Sequence, residues 1–408
     1  MKCRHCAAEL ELVFLDLGAA PPSNAYLSAP MLRAPETWYP LRLLVCEHCW
    51  LVQTEDHAGR EMLFTDEYAY FSSFSSSWLR HAEAYVHAMR ERFGLGPDSQ
   101  VAEIASNDGY LLQYVRSAGI PCYGIEPTAS TAAAARAKGI ETIEAFFGLD
   151  VAAALAAQGR QADLIAANNV LAHVPDINDF LRGFAQLLKP GGVATFEFPH
   201  LLNLVRHGQF DTVYHEHYSY LSLAALTRIF TRNGLAIFDV ETLSTHGGSL
   251  RVFVQRSDSG TRGATDAVRA VLAEERDNGI ESTAFYREFQ GRAERIKNDL
   301  TRFLIDAARD GLRVAAYGAA AKGNTLLNFA GIRPDLLPYV VDRNPAKQGK
   351  FLPGSRIPVV SEDRLEHDRP DFVVLLPWNL RDELTVQLDY VRAWGGRFVT
   401  AVPNLEIT

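Results

Sequence analysis

VAEIASNDGY, residues 101–110, is a short apolar run that breaks into a polar, glycine-containing turn before a helix-length segment. Outward from it the same rhythm returns in CYGIE (122–126), ADLIAANN (162–169) and GVATFEFP (192–199). Apolar runs alternating with helix-length stretches predict a parallel, doubly wound α/β sheet. In such a sheet ligands lie outside the carboxyl ends of the strands, close to the first βα turn. That turn offers Glu103, Ala105, Asn107, Asp108 and Gly109. Gly109 permits close backbone approach, and the following helix N-terminus can support a ligand carboxylate. The second strand closes on Glu126-Pro127, where an acid typically grips ribose hydroxyls, and the fourth on Asn168-Asn169. The dinucleotide fingerprint G-x-G-x-x-G is absent.

Asn168-Asn169 stands where adenosylmethionine enzymes contact their cofactor. The Leu188-Lys-Pro-Gly-Gly192 turn before a strand resembles a common methyltransferase feature. Adenosylmethionine is therefore the expected cofactor. Two further runs, LAIFDVETL (235–243) and SLRVFVQR (249–256), flank a turn at Gly247-Gly248. From about 264 to 308 the chain is charged and helical, as one or two long helices bridging domains would be. RVAAYGA, LPYVVD, DFVVLLPW and RFVTAV then resume the βα rhythm over 309–408. The expected fold is α/β: a Rossmann-like methyltransferase core, a small N-terminal zinc-binding domain and a C-terminal Rossmann-like domain. The division reads 1–65 for the zinc domain and 66–260 for the cofactor domain, with a helical lead-in over 66–97. A helical connection over 261–308 and the C-terminal domain over 309–408 complete it.

A chain of 408 residues fits two or three domains. Hydrophobic content of 48% with 22% charged residues is that of a soluble globular protein. A net charge of −9 argues against nucleic acid as a partner, because phosphate backbones need a basic face. No apolar run is long enough to span a membrane. MKCRHCAAEL lacks the apolar core of a signal peptide, so the cytosol is the default compartment. Disulfides are rare there, which shapes the reading of Cys3-Arg-His-Cys6 and Cys46-Glu-His-Cys49. Two C-x-x-C knuckles supply four thiolates for a tetrahedral zinc, and a complete shell makes that zinc structural. His5 and His48 are spare donors. The long gap from Cys6 to Cys46 calls for an inserted loop or hairpin, proline-rich at Pro21-Pro22 and from Pro30 to Pro40. Cys122 reads as a core thiol.

The densest polar constellation is Phe210-Asp-Thr-Val-Tyr214-His215-Glu216-His217-Tyr218-Ser-Tyr220. Burying so many polar groups is costly without purpose. They suit proton abstraction beside a carbonyl: an imidazole as base, a carboxylate to orient it, a phenol to support enolate charge. H-E-H is not the H-E-x-x-H metal signature. His173, after the fourth strand, should point into the same cleft, and Tyr68 and Tyr70 come from the segment before the core.

Together the C-x-x-C pair, Y-x-Y-F-S-S, E-x-A-S-N-D-G, G-I-E-P, F-D-x-x-Y-x-E-H, T-H-G-G-S-L-R (245–251) and Tyr317-Gly-Ala-Ala-Ala-Lys322-Gly-Asn324 resemble the nucleotide-sugar C-methyltransferases of deoxysugar pathways. The match spans nearly the whole chain. The resemblance implies dTDP-linked 4-keto-deoxysugars as substrates, methylated usually at the ring carbon beside the ketone, with C3 expected ahead of C5. It maps the general base onto His217, flanking motif positions onto Tyr214 and Glu216, and a keto-side histidine onto His173. The N-terminal tyrosine maps onto Tyr68, with Tyr70 in competition, and His215 rivals His217 as base. His246, Gly247, Lys322 and Asn324 are then expected at the substrate, with Lys322 or a helix N-terminus meeting the diphosphate. The protein is expected to be a monomer or weak oligomer. An O- or N-methyltransferase and a silent adenosylmethionine-binding scaffold stay open at this point. An NAD oxidoreductase is disfavoured because the Tyr317–Lys322 loop lacks the dinucleotide glycines.

Overall fold

The structure is a computed structural model and describes residues 1–57 and 71–408. The four central runs form the strands Val101–Ile104, Cys122–Ile125, Ala162–Asn168 and Leu188–Pro199. Helices cover both faces of a parallel sheet, so its strands read as apolar runs rather than alternations. Among the described residues they belong to one seven-stranded sheet. Its order is Leu235–Leu243, Ser249–Arg256, Leu188–Pro199, Ala162–Asn168, Val101–Ile104, Cys122–Ile125, Thr142–Ile143. Ser249–Arg256 runs antiparallel to both neighbours, and the other pairings are parallel. The strand order reverses between Val101–Ile104 and Ala162–Asn168, which opens the crevice where ligands bind in this architecture. The Leu188–Gly192 segment is part of its strand rather than a turn before it. Pairing jumps from Ala162↔Leu188 to Leu164↔Val193, so residues 189–192 bulge outward.

The C-terminal strands form a second sheet, ordered Val359–Val360, Val340–Val341, Val314–Tyr317, Phe372–Leu375, Arg397–Thr400, Glu406–Ile407. It is parallel except at its last strand, as a Rossmann-like unit requires. The connection contains three helices, Asp266–Asp277, Thr283–Arg287 and Phe289–Arg309, where one or two were expected. Gly279, at φ +77°, ends the first of them, and the chain drops Ile280 into the core.

Leu12–Ala20 pairs with Tyr39–Val45, and Tyr39–Val45 with Val52–Thr54. This is the hairpin that the cysteine gap required. The fourth strand of that sheet is Ser219–Tyr220, donated by the polar constellation itself. Residues 21–38 cross onto the C-terminal domain, where Leu27 donates to the Phe351 carbonyl at 2.9 Å and Gly354 to Glu36 at 2.6 Å. One apolar core runs from Phe14 and Leu43 through Leu300 to Val314 and Leu326. Among the described residues no helix is long and apolar enough to cross a membrane.

Candidate active site

The two knuckles adopt one turn twice. Ala7 donates to the Cys3 carbonyl at 3.0 Å and Trp50 to the Cys46 carbonyl at 2.8 Å. Both Ala7 and Trp50 take positive φ. The sulfurs of Cys3, Cys6, Cys46 and Cys49 all lie within 4.8 Å of one another, and none is disulfide-bonded. A tetrahedral zinc with bonds of about 2.3 Å to four thiolates needs that clustering. His5 turns away from the sulfurs and bonds Asn178 at 2.8 Å.

A cavity of about 420 Å³ opens at the carboxyl ends of the core strands and extends to the C-terminal domain. At one end lie Ala105, Asn107, Glu126, Pro127, Asn168 and Asn169. Ala105, Asn107 and Asn169 have φ of 55°, 50° and 55°, a region non-glycine residues rarely enter. Glu126 braces this loop by accepting from the amides of Asn107 and Thr128, each at 2.9 Å. Both side-chain polar atoms of Asn168 and the Asn169 oxygen are buried without a partner among the described residues. Orphaned side-chain amides at the mouth of this loop are what a hydroxyl- and amine-bearing cofactor would satisfy.

Three residues expected at the cofactor do not line this space. Glu103 is buried beneath the loop, and burial pushes its carboxyl well above the usual range. Asp108 faces away, accepting from Ser73 and, at 3.2 Å, from Lys138. Gly109, at φ +75°, packs closely against Ile140: a Cβ there would sit 2.4 Å from Ile140 Cδ1.

At the other end His173, Tyr214, Glu216 and His217 line the cavity, with His246 and Lys322 across from them. The His217 ring centre lies 4.2 Å from that of Tyr214 and 4.6 Å from that of His173. His173 donates through Nδ1 to the Glu216 carbonyl at 2.9 Å, leaving Nε2 as the acceptor in the neutral ring. Burial holds His217 well below its ordinary value and His173 at about 4. Glu216 bonds Asn24 at 2.8 Å, not His217, and burial raises it to about 7. His215 points the other way, to the Tyr39 carbonyl at 3.2 Å. Lys322 reaches Asn379 at 2.6 Å and lies 4.8 Å over the Trp378 ring.

Asn324 and Gly247 do not line the cavity. Asn324 clips the N-terminal hairpin by donating to the Ser23 carbonyl at 2.6 Å, and Gly247 offers its carbonyl to Gln209 at 2.8 Å. Tyr68 and Tyr70 lie outside the described residues. Asn24, Trp78 and Lys347 line the cavity without having been anticipated. Asn24 and Lys347 sit in proline-flanked loops, where sequence carries no signal of what they face. Trp78 closes the serine-rich stretch, whose periodicity resembles an ordinary helix start.

Three family models match the chain: a zinc binding domain over residues 3–64, a methyltransferase domain over 78–240 and a C-methyltransferase C-terminal domain over 244–403. C-methyltransferase NovU of Streptomyces niveus is 36% identical over 406 residues, covering 100% of this chain and 96% of that one. A ubiquinone biosynthesis O-methyltransferase of Chelativorans sp. (strain BNC1) is 30% identical over 95 residues, 23% of this chain and 38% of its own. Magnesium protoporphyrin IX methyltransferase of Synechocystis PCC 6803, solved with bound SAM, is 17% identical over 44% of this chain and 79% of that one. Its TM-score is 0.34. The full-length match, the three family models and the cysteine cluster converge: the chain belongs to the C-methyltransferases that carry an N-terminal zinc-binding domain and use adenosylmethionine as cofactor.

Proposed function

We propose that the chain methylates the carbon beside the ketone, C3, of a dTDP-linked 4-keto-deoxysugar. The observation that carries this reading is the convergence of His217, His173 and Tyr214 in one cavity with the cofactor loop. A carbon acid needs a base and an oxyanion partner on neighbouring atoms, whereas a heteroatom acceptor needs less. Bound adenosylmethionine supplies an electrophilic methyl on a sulfonium centre. Asn168, Asn169 and Glu126 are the groups to hold it, and Glu103, Asp108 and Gly109 act by shaping the loop.

His217, uncharged in its buried setting, takes the proton from the carbon beside the ketone. Tyr214 stabilises the oxygen of the resulting enolate through its phenol O–H; His173, whose neutral Nε2 only accepts, shares that role only as the imidazolium. An imidazolium is costly there, but it forms next to the enolate charge that offsets it. Glu216 acts through its backbone, which fixes the His173 ring, and its carboxyl sits against the hairpin at Asn24. Lys322 offers positive charge to the diphosphate from the C-terminal domain.

The test is deuterium exchange from solvent into a dTDP-4-keto-6-deoxyhexose without methyl donor, followed by NMR. The wild type should exchange the proton beside the ketone and, with adenosylmethionine, form a new C-methyl at that carbon. Methyl transfer elsewhere, or no exchange, would refute the reading.

A further inference from the structure

The F-D-x-x-Y-x-E-H motif carries at its second place an acid to which neither cofactor binding nor proton transfer gives a task. Asp211 lies in the short helical turn Phe210–Thr212 and is fully buried. Its Oδ2 accepts from the Trp378 indole at 2.6 Å, and its Oδ1 bonds no other side chain among the described residues. A buried carboxylate with one neutral donor is costly unless a positive charge stands near. Burial raises Asp211 to about 6, and Lys322 is the cation that opposes the rise.

Lys322 comes from the helix Ala321–Phe329 of the C-terminal domain and lines the cavity. Its Nζ donates to Asn379 at 2.6 Å and lies 4.8 Å over the same Trp378 ring whose N–H Asp211 takes. One indole thus spans both charges: its edge donates to the carboxylate and its face meets the ammonium. Donation to an anion polarises the ring in the sense that a cation over its face favours. Thr325, on the same helix, donates to the Val213 carbonyl at 2.8 Å and pins Lys322 against the segment that carries Asp211. Gly247 leaves the room this ring needs: a Cβ there would sit 2.8 Å from Trp378 Cη2. Burial lowers Lys322, and Asp211 is the acid that holds it up. His217 and His246 are the other titratable groups facing it, and burial keeps both rings neutral.

We propose that Asp211 is a positioning residue for Lys322: together with Trp378 it keeps the ammonium charged and in place at the cavity, where it meets the diphosphate of the nucleotide sugar. The inference rests on the sugar-methylating reading above, and within it gives the motif acid and Trp378 a task. An amine buried without its countercharge sheds its proton at lower pH. A neutral amine no longer offers the diphosphate a charge. The effect falls on the alkaline side. As pH drops through about 6 Asp211 itself takes a proton, but Lys322 stays charged there without help.

The experiment measures binding of dTDP and of adenosylmethionine by calorimetry for wild type, Asp211→Asn and Trp378→Phe, at about pH 6.5 and about pH 9. Asparagine keeps the shape and still accepts from the indole, so the variant removes only the charge. Its dTDP Kd should stay within about twofold of wild type at the lower pH and rise to about tenfold weaker at the higher. Adenosylmethionine Kd should stay within about twofold at both. Trp378→Phe keeps a ring beneath Lys322 but removes the donor that seats Asp211, so the same alkaline loss, about threefold, is expected. A dTDP loss that does not change with pH would mean that Asp211 only packs segment against domain, and would overturn the proposal. So would an equal loss of adenosylmethionine affinity. Where Asp211→Asn does not fold, Trp378→Phe decides, and wild-type dTDP binding by it at the higher pH overturns the proposal. A wild type that binds no dTDP sinks both this inference and the sugar-methylating reading. One that binds it, with Asp211→Asn indifferent to pH, sinks only this inference.

Discussion

His215 and His217 are two residues apart and face opposite ways. One ring is tied to the Tyr39 carbonyl of the hairpin, and the other stands among Tyr214 and His173 in the cavity. His217→Asn should therefore lower kcat roughly 10²–10⁴-fold and leave adenosylmethionine affinity nearly unchanged by calorimetry. His215→Gln should act through stability and spare kcat; the reverse pattern would exchange their roles. Glu216 gives a pH prediction. Its folded-state pKa is raised to about 7 from 4.5. A raised carboxyl contributes fully below its unfolded pKa, and the contribution is lost as pH rises through the folded one. Glu216→Gln, neutral throughout, should gain on wild type between pH 4.5 and 7 by at most about 3 kcal/mol. Unfolding curves at both ends of that window check it, and an unchanged difference would refute it.

At the scale of elements, the cofactor turn is shaped by packing as much as by ligand chemistry. Gly109 joins a positive φ to a site where Ile140 leaves no room for a side chain. Gly109→Ala should cost about 1–3 kcal/mol and weaken adenosylmethionine binding by disturbing Asn107, whose amide braces Glu126. Thermal melts with calorimetry check this, and a variant matching wild type in both would refute it. The motif spelled E-x-A-S-N-D-G was legible as a ligand turn. Which of its letters face the ligand was not, because the left-handed kinks at Ala105 and Asn107 decide the facing. Local sequence does not specify those kinks.

Over the whole molecule, the zinc module and the segment around Ser219–Tyr220 share one sheet. Val52 pairs with Tyr220 and Gln53 with Ser219, while Thr54 donates to the His217 carbonyl at 3.1 Å. Arg4, inside the first knuckle, reaches Pro175 at 3.2 Å and stacks 4.8 Å over Tyr218. The cysteine module thereby shares one frame with the segments that carry His173 and His217. Metal analysis should find about one zinc per chain. Its removal by chelation, or Cys46→Ser, should lower the melting midpoint by on the order of 10 °C and abolish turnover. Metal-free protein that keeps both would refute the coupling.

Cysteine spacing by itself determined the zinc ligands, because two C-x-x-C turns in one chain leave a metal few alternatives. Apolar runs of strand length determined both Rossmann-like units, because burial on two faces writes itself into composition. Tertiary structure alone decided which histidine faces the cavity, that Glu216 answers to Asn24, and that Asn324 clips a hairpin. These depend on Ser219–Tyr220 joining a strand more than 160 residues earlier and on the hairpin crossing to the C-terminal domain. Contacts between segments so far apart are set by how whole sheets and cores pack, and no local pattern of residues encodes them.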